Sequence, residues 1–404
     1  MSLPIPPFTI LQVTPELETG GAEQTTLDMA RAIVQAGGRA LVASRGGRME
    51  QRLAEYGGEL IRLPMQSKTP AVILANAQKL AAIVRQERVS LIHARSRAPA
   101  FSAFLAARWT GAPYLATYHG VYEAKGPLKR WYNAIMTRGP VTIANSAYTR
   151  DRVIAEHGLA PERVIAIDRG VDLDRFDADR VAPARVEALR AAWGLDSGGL
   201  DLGGLEATNP RTSFLLAGRL TRWKGQGLLI EAAARIKASG ARAPLILLVG
   251  DDQDRAGYRA ELDAAIAAAG LKDDVRITGH CDDMPAAYLA ADFACAPSLK
   301  PEPFGRTAVE PQVLGRPVLA ADHGAARETV EDGVTGWLVA PGDAAAWADA
   351  ITRAAALSPQ ARQAMGQAAS ERARRLYSVG AMCAATLGVY ARLIGAQADA
   401  RRPQ

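Results

Sequence analysis

Phe293-Ala-Cys-Ala-Pro-Ser-Leu-Lys-Pro-Glu-Pro-Phe-Gly-Arg-Thr-Ala-Val-Glu310 places an apolar strand, a tight turn with one glycine and the start of a helix in a single run. The strand covers Phe293–Pro297, and the helix is expected over Phe304–Leu314. Free backbone N–H groups and the positive end of a helix dipole meet at such a junction, which makes it an anion site. Two carboxylates flank it. Glu302 stands in the loop beside the anion, and Glu310 lies about 9 Å along the helix axis at about 1.5 Å per residue. An elongated ligand with phosphates in the middle and hydroxyls at both ends suits this layout, and a nucleotide-sugar has that shape. A helix cap and a solvated face would account for the two glutamates equally well. The rest of the chain decides between the two.

Outward from that run, short apolar segments alternate with helical patterns in both directions. In the first half the expected strands are Thr9–Val13, Ala40–Ser44, Leu60–Pro64, Leu91–Ala94, Tyr114–His119, Val141–Asn145 and Val164–Ile167. In the second they are Ser213–Ala217, Leu245–Gly250, Val275–Gly279, Phe293–Pro297 and Pro317–Ala321. Amphipathic segments such as Gln24–Gln35, Ala71–Gln86, Gly227–Ala238 and Tyr258–Ala269 separate them. This alternation predicts a parallel sheet covered by helices on both faces, and it occurs twice. The fold class is therefore α/β, with two doubly wound, Rossmann-like domains. Domain boundaries are expected at 1–195 and 211–379, joined through a Gly-rich, acidic stretch at 196–210. The Ala/Arg-rich end reads as two or more helices, and the last, about 380–404, is expected to pack back on the first domain. Doubly wound domains bind at the carboxyl ends of their strands, so a cleft between the two is the expected active site.

Composition narrows the partners. A chain of 404 residues has room for two or three domains with real cores. It has no run of 18 apolar residues, so no spanning helix is expected. Met1–Pro7 lacks the basic region and apolar core of a secretory signal. Cys281, Cys295 and Cys383 lack metal-type spacing and suit buried thiols in a reducing cytoplasm. Residues 1–140 carry 17 Lys and Arg against 9 Asp and Glu, a surplus of +8, whereas the remainder carries 31 against 33. A basic first part points to an anionic partner. No nucleic-acid-binding motif accompanies the charge, so the anionic inner leaflet of the membrane is favoured over nucleic acid. The segment Lys125–Arg138 mixes Leu128, Trp131, Tyr132, Ile135 and Met136 with Lys129, Arg130 and Arg138, which fits a helix lying on such a surface or an ordinary helix covering the sheet.

Five motifs in order carry a family resemblance. They are Gly20-Gly-Ala-Glu-Gln24, Tyr118-His-Gly120, Arg169-Gly-Val-Asp172, Ala217-Gly-Arg-Leu-Thr-Arg-Trp-Lys-Gly225 and the Glu302…Glu310 segment. With them the chain resembles the retaining family-4 glycosyltransferases of GT-B fold, from Gly20 to about Ile394. The resemblance implies a C-terminal domain for a UDP- or GDP-sugar donor and an N-terminal domain for the acceptor. Arg219 and Lys224, in the loop after strand Ser213–Ala217, would converge on the diphosphate, Arg as a fork and Lys as a point charge. Gly218 shares that loop. Gly305, Arg306 and Thr307 would offer backbone amides, Glu310 would accept from ribose hydroxyls, and Glu302 would hold hydroxyls of the donor sugar. His119 would contact that sugar, and Gly20, Gly21 and Arg169 would serve the acceptor and phosphate loop. His280 would flank the base.

Two departures stand out. Pro303 replaces the glycine often found after the first glutamate, and Ile167-Asp168 precedes Arg169 where many relatives carry Pro-Asn. No metal is expected, because Asp251-Asp252 suits a helix cap and GT-B enzymes generally do without one. The implied reaction transfers a sugar, with retention of anomeric configuration, to a lipid-linked or lipopolysaccharide acceptor at the inner face of the cytoplasmic membrane. A nucleotide-sugar 2-epimerase of the same architecture and a non-catalytic nucleotide-sugar-binding module remain open.

Overall fold

Each apolar run that alternates with a helical pattern becomes a strand of a parallel sheet. The computed structural model describes residues 8–18, 20–120, 122, 126–195, 211–252 and 256–400. These fall into two units, Met1–Gly170 with Val379–Gln404, and Val171–Ser378. The stretch 196–210 expected as a linker lies outside the described residues.

The first unit has seven strands: β1 (Thr9–Val13), β2 (Arg39–Ser44), β3 (Glu59–Arg62), β4 (Leu91–Ala94), β5 (Tyr114–Tyr118), β6 (Thr142–Ala144) and β7 (Val164–Ala166). Their order is β3-β2-β1-β4-β5-β6-β7, parallel throughout. In the central β1 every residue is buried, as a strand covered on both faces requires. Leu11 and Val13 join one core with Leu41, Ile92 and Ala94, while Ile10 joins the other with Ala40, Val42 and Leu91. Period-two alternation of side chains divides them.

The second unit has six strands: β8 (Ser213–Ala217), β9 (Leu245–Val249), β10 (Val275–Gly279), β11 (Phe293–Ala296), β12 (Val318–Ala321) and β13 (Gly336–Val339). Their order is β10-β9-β8-β11-β12-β13. The order reverses between β8 and β11, as it does between β1 and β4 in the first unit. At such a switch point the loops leaving the two strands diverge and open a crevice at their carboxyl ends. Strand β13 was not expected from sequence. It is short and begins at Gly336, whose φ of +157° and close approach to the Val318 carbonyl exclude a side chain, so its glycine reads as punctuation.

One boundary differs from expectation. The segment 171–195 belongs to the second unit, because Val171, Phe176, Val186 and Leu195 are buried in that unit's core. Arg185 donates from Nε and Nη2 to the Asp283 carboxylate (2.7 and 2.6 Å), and Arg190 donates to the Ala290 carbonyl (2.7 Å). Helix Val379–Ala400 belongs to the first unit. Its Val379–Gln397 stretch, of mean hydropathy 1.5, is long and apolar enough to cross a membrane by length and composition, which the count of uninterrupted apolar residues missed. Its Met382, Cys383, Leu387, Tyr390 and Leu393 instead share a core with Ile10, Leu27 and Ile33. The Tyr390 hydroxyl also meets His93 Nδ1 at 2.7 Å inside the sheet. Cys295 and Cys383 are buried, with burial raising the Cys383 thiol to about 12, whereas Cys281 is only half-buried.

Candidate functional site

In the second unit the site begins where β8 ends. Gly218 follows at φ +150°, then Arg219, and a 3-10 turn at Arg222–Lys224 leads to Gly225. Gly225 is left-handed (φ +84°), and a Cβ there would collide with the Pro297 carbonyl, so only glycine lets this loop press on the loop leaving β11. The Leu299 amide donates to the Trp223 carbonyl (2.7 Å), a second tie between the two loops. Across the switch point Lys224 Nζ reaches Glu302 Oε1 at 2.5 Å, with side chains only 14% and 17% exposed. Ser298 Oγ donates to the same oxygen (2.6 Å), and His323 Nε2 lies 2.8 Å from the Ser298 carbonyl. The Glu302 backbone is pinned as well. Its carbonyl accepts from the Ala325 amide (3.0 Å), and left-handed Gly324 (φ +62°) sits too close to it for a Cβ. Gly218 passes beneath the Lys224 stem, where an added Cβ would lie 3.7 Å from Lys224 Cδ.

The helix after Glu302 starts at Arg306, two residues later than expected, and runs to Val313. Gly305, left-handed at φ +80°, turns the chain so that helical geometry begins only beyond it, and no side chain caps the helix. Its first amides, including those of Arg306 and Thr307, thus form the end of the dipole that favours an anion. Glu310 is 7% exposed, pairs with Arg306 Nη2 at 2.5 Å, and accepts from the Tyr288 hydroxyl at 3.4 Å. Burial, reinforced by the Glu310 charge, holds the Tyr288 phenol well above its ordinary pKa, so it remains a donor. Nothing in the sequence pattern singled out Tyr288, Ser298 or His323. His280 follows β10 on the exposed surface, its Nε2 2.9 Å from Asp282 Oδ1 and its Nδ1 4.0 Å from Asp251 Oδ2. The Arg219 carbonyl accepts from Gln226 Nε2 (2.9 Å). The cap expected at Asp251-Asp252 involves residues 253–255, which lie outside the described residues.

The first unit has its own constellation. Gly20, in extended backbone, leads into helix Gly21–Gln35, and a Cβ on Gly21 would collide with the Arg169 guanidinium. Arg169 Nη2 donates to the His119 carbonyl (3.3 Å), as does Asn145 Nδ2 (3.2 Å). Gly21, His119 and Arg169 therefore meet past the carboxyl ends of β1, β5 and β7. His119 is partly exposed as a residue, yet both ring nitrogens are buried without a hydrogen-bond partner among the described residues. Burial, then the charges of Arg169 and Arg95, hold its pKa well below 6.5, so the imidazole is neutral. Arg95 was missed from sequence although it directly follows strand β4, the kind of position that drew attention to Arg219. It is 2% exposed and donates from Nε and Nη2 to Gln12 Oε1 (3.0 and 2.5 Å), a neutral partner. Among the described residues no group of three or more His, Cys, Asp or Glu is gathered to hold a metal ion.

Comparison with known proteins agrees with this fold. Residues 19–175 match the family described as Glycosyltransferase Family 4, and residues 205–372 match Glycosyl transferases group 1. A glycosyltransferase from Rickettsia africae of solved structure is 30% identical, with a TM-score of 0.87 over 96% of this chain and 99% of that one. The chain is 32% identical to the D-inositol 3-phosphate glycosyltransferase of Saccharomonospora viridis over 58% of its own length and 51% of that protein's. It is 31% identical to the 2-deoxystreptamine glucosyltransferase of Streptomyces kanamyceticus over 62% and 63%. It thus spans about half to two thirds of the length of these two curated relatives. Two parallel-sheet Rossmann-like domains of this kind define the GT-B class of glycosyltransferases. The chain belongs to that family, with a family-4 first part and a group-1 second part.

Proposed function

We propose that the protein is a retaining, metal-independent transferase that moves a sugar from a UDP- or GDP-sugar to a hydroxyl of a lipid-linked or lipopolysaccharide acceptor. The observation that carries this reading is the Lys224–Glu302 contact across the switch point of the second unit, beside the uncapped helix that Gly305 opens. An ammonium has three N–H donors. Lys224 can keep Glu302 oriented with one and offer the others to a phosphate. Arg219, on the same loop, adds a forked cation, and the Gly305, Arg306 and Thr307 amides complete the diphosphate cradle. Glu302 then accepts from donor-sugar hydroxyls, and Glu310, held by Arg306 and Tyr288, accepts from the ribose. His280 flanks the base.

In the reaction the bond from the anomeric carbon to the leaving diphosphate oxygen breaks. That oxygen takes the proton of the incoming hydroxyl, and the new C–O bond forms on the same face. Lys224 and Arg219 neutralise the charge that develops on the diphosphate, work that in other enzymes falls to a metal ion. His119, kept neutral, serves as a hydrogen-bonding partner for the donor sugar. Gly20, Gly21 and Arg169 line the acceptor side. The basic surplus of residues 1–140, with Leu128 78% and Trp131 59% exposed next to Lys129 and Arg130, supports a peripheral site of action at the anionic inner leaflet. Lys125, part of the same segment, lies outside the described residues.

A thermal-shift screen of UDP-, GDP- and ADP-sugars tests the donor half, since a ligand that binds only the folded protein raises its melting temperature. Turnover with lipid-linked glycans tests the acceptor half. Absence of any shift with all three donor classes, or release of a free epimerised sugar without acceptor, would overturn the proposal.

A further inference from the structure

A groove of about 620 Å³ in the first unit is used by none of the donor-side residues. Gln66 and Lys68 border it from the loop after β3, Ser96 and Arg97 from the start of helix Arg97–Thr110, and Lys129 and Tyr132 from helix Pro127–Asn133. Each segment follows the carboxyl end of a strand, the edge at which doubly wound sheets take ligands. Its described lining holds three cations and no carboxylate.

Arg97 is held in place by neutral groups. Nη1 donates to Asn133 Oδ1 (2.8 Å), and the guanidinium lies 3.8 Å from the Tyr122 ring centroid. The Lys129 ammonium stands 5.2 Å from the Tyr132 ring centroid. Ser96 begins its helix without a side-chain hydrogen bond to it, so the dipole's positive end faces the same space. Like charges around one groove repel, and a neutral glycan would leave that repulsion in place. A phosphate relieves it and takes the Arg97 fork as a charge-assisted pair. Tyr132 and Leu128 supply an apolar side for whatever carries that phosphate.

We propose that this groove binds a phosphate group of the acceptor, with Lys68, Arg97 and Lys129 as its ligands. The word acceptor rests on the transferase reading; the phosphate site does not. The phosphate is tested from two sources, a soluble phosphorylated polyol and a lipid headgroup. Glycerol 3-phosphate, glycerol, and vesicles of phosphatidylglycerol or phosphatidylcholine are titrated into the full chain, with UDP- and GDP-sugar binding measured on the same preparations. The variants are Lys68→Gln, Lys129→Gln and the double variant, with Lys79→Gln as a charge control on the exposed face of helix Pro70–Gln86. Both groove lysines are exposed, so folding is retained, as unchanged melting temperatures will verify.

Each groove variant is expected to weaken binding of glycerol 3-phosphate or of phosphatidylglycerol vesicles about tenfold, the scale of one charged hydrogen bond. The double variant loses more, and Lys79→Gln changes nothing. Loss confined to glycerol 3-phosphate identifies a soluble acceptor, and loss confined to vesicles a lipid-borne one. The inference is overturned if neither phosphate source binds, if glycerol or phosphatidylcholine binds as well, or if Lys79→Gln costs as much as the groove variants. Failure of every nucleotide-sugar to bind would sink the transferase reading while leaving the phosphate result intact.

Discussion

Replacing Lys224 by Met separates two consequences that a single assay would merge. The side chains of Lys224 and Glu302 are 14% and 17% exposed, so the substitution strands a mostly buried carboxylate that still accepts from Ser298 Oγ at 2.6 Å. Breaking a fully buried pair costs about 3–5 kcal/mol, and an exposed pair is worth about 0–1. With one sixth of each side chain still in water and Ser298 retained, about 2–3 kcal/mol is expected. Turnover should fall about 10²–10³-fold, by analogy with loss of one preorganised donor to a developing oxyanion. The double variant Lys224→Met/Glu302→Gln discriminates between the two effects. A neutral amide no longer needs the ammonium, so at least half of the lost stability should return in urea unfolding. Turnover should stay low, because no cation has been restored. Recovery of turnover in the double variant, or an unchanged kcat/KM in Lys224→Met, would refute the assignment of Lys224 to the leaving group.

Three further outcomes follow from buried groups. His93 and His119 are both held well below 6.5 by burial, so the unfolded chain binds protons that the folded one does not. Their contribution to stability is full above about pH 6.5 and declines as pH falls toward the depressed values, by at most about 1.4 kcal/mol per pH unit for each imidazole; His119→Gln should flatten the urea-stability profile between pH 7 and 5, and an unaltered slope would contradict its neutral state. Gly225→Ala forces a left-handed backbone and a Cβ against the Pro297 carbonyl, and should cost about 2–4 kcal/mol, against which a loss near zero in denaturant midpoint would count. Tyr390→Phe removes the 2.7 Å partner of His93 Nδ1 inside the sheet and should cost about 1–3 kcal/mol; an unaffected melting temperature would argue against the terminal helix as part of that core.

The strands were legible because the central ones are mostly apolar, as a sheet covered on both faces demands, and because helices of period 3.6 separate them. β13 was not, since four residues led by glycine carry no period. Within the candidate site, Lys224 and Glu302 drew notice as charged residues in loops that leave strand ends, and the structure brings the two into contact. Tyr288 and Ser298 escaped notice because nothing local sets a buried phenol or a loop hydroxyl apart from its neighbours; the fold brings them to Glu310 and Glu302. The domain border was misplaced for a related reason. Segment 171–195 follows the first sheet in the chain, but Val171, Phe176 and Leu195 find their apolar partners in the second. Such partners lie far away in sequence, and no window of neighbouring residues contains them.

The first unit is discontinuous in the chain, its sheet at one end and helix Val379–Ala400 at the other, with His93 and Tyr390 joined across 297 positions. Its core therefore stays incomplete on the ribosome until the last helix has emerged. The second unit, one uninterrupted stretch from Val171 to Ser378, has all of its parts before then. Order of synthesis and order of maturation are thereby reversed: the part made first is finished last. A chain stalled before residue 379 would present an intact second unit beside an unsealed sheet, a form that chaperones and proteases recognise.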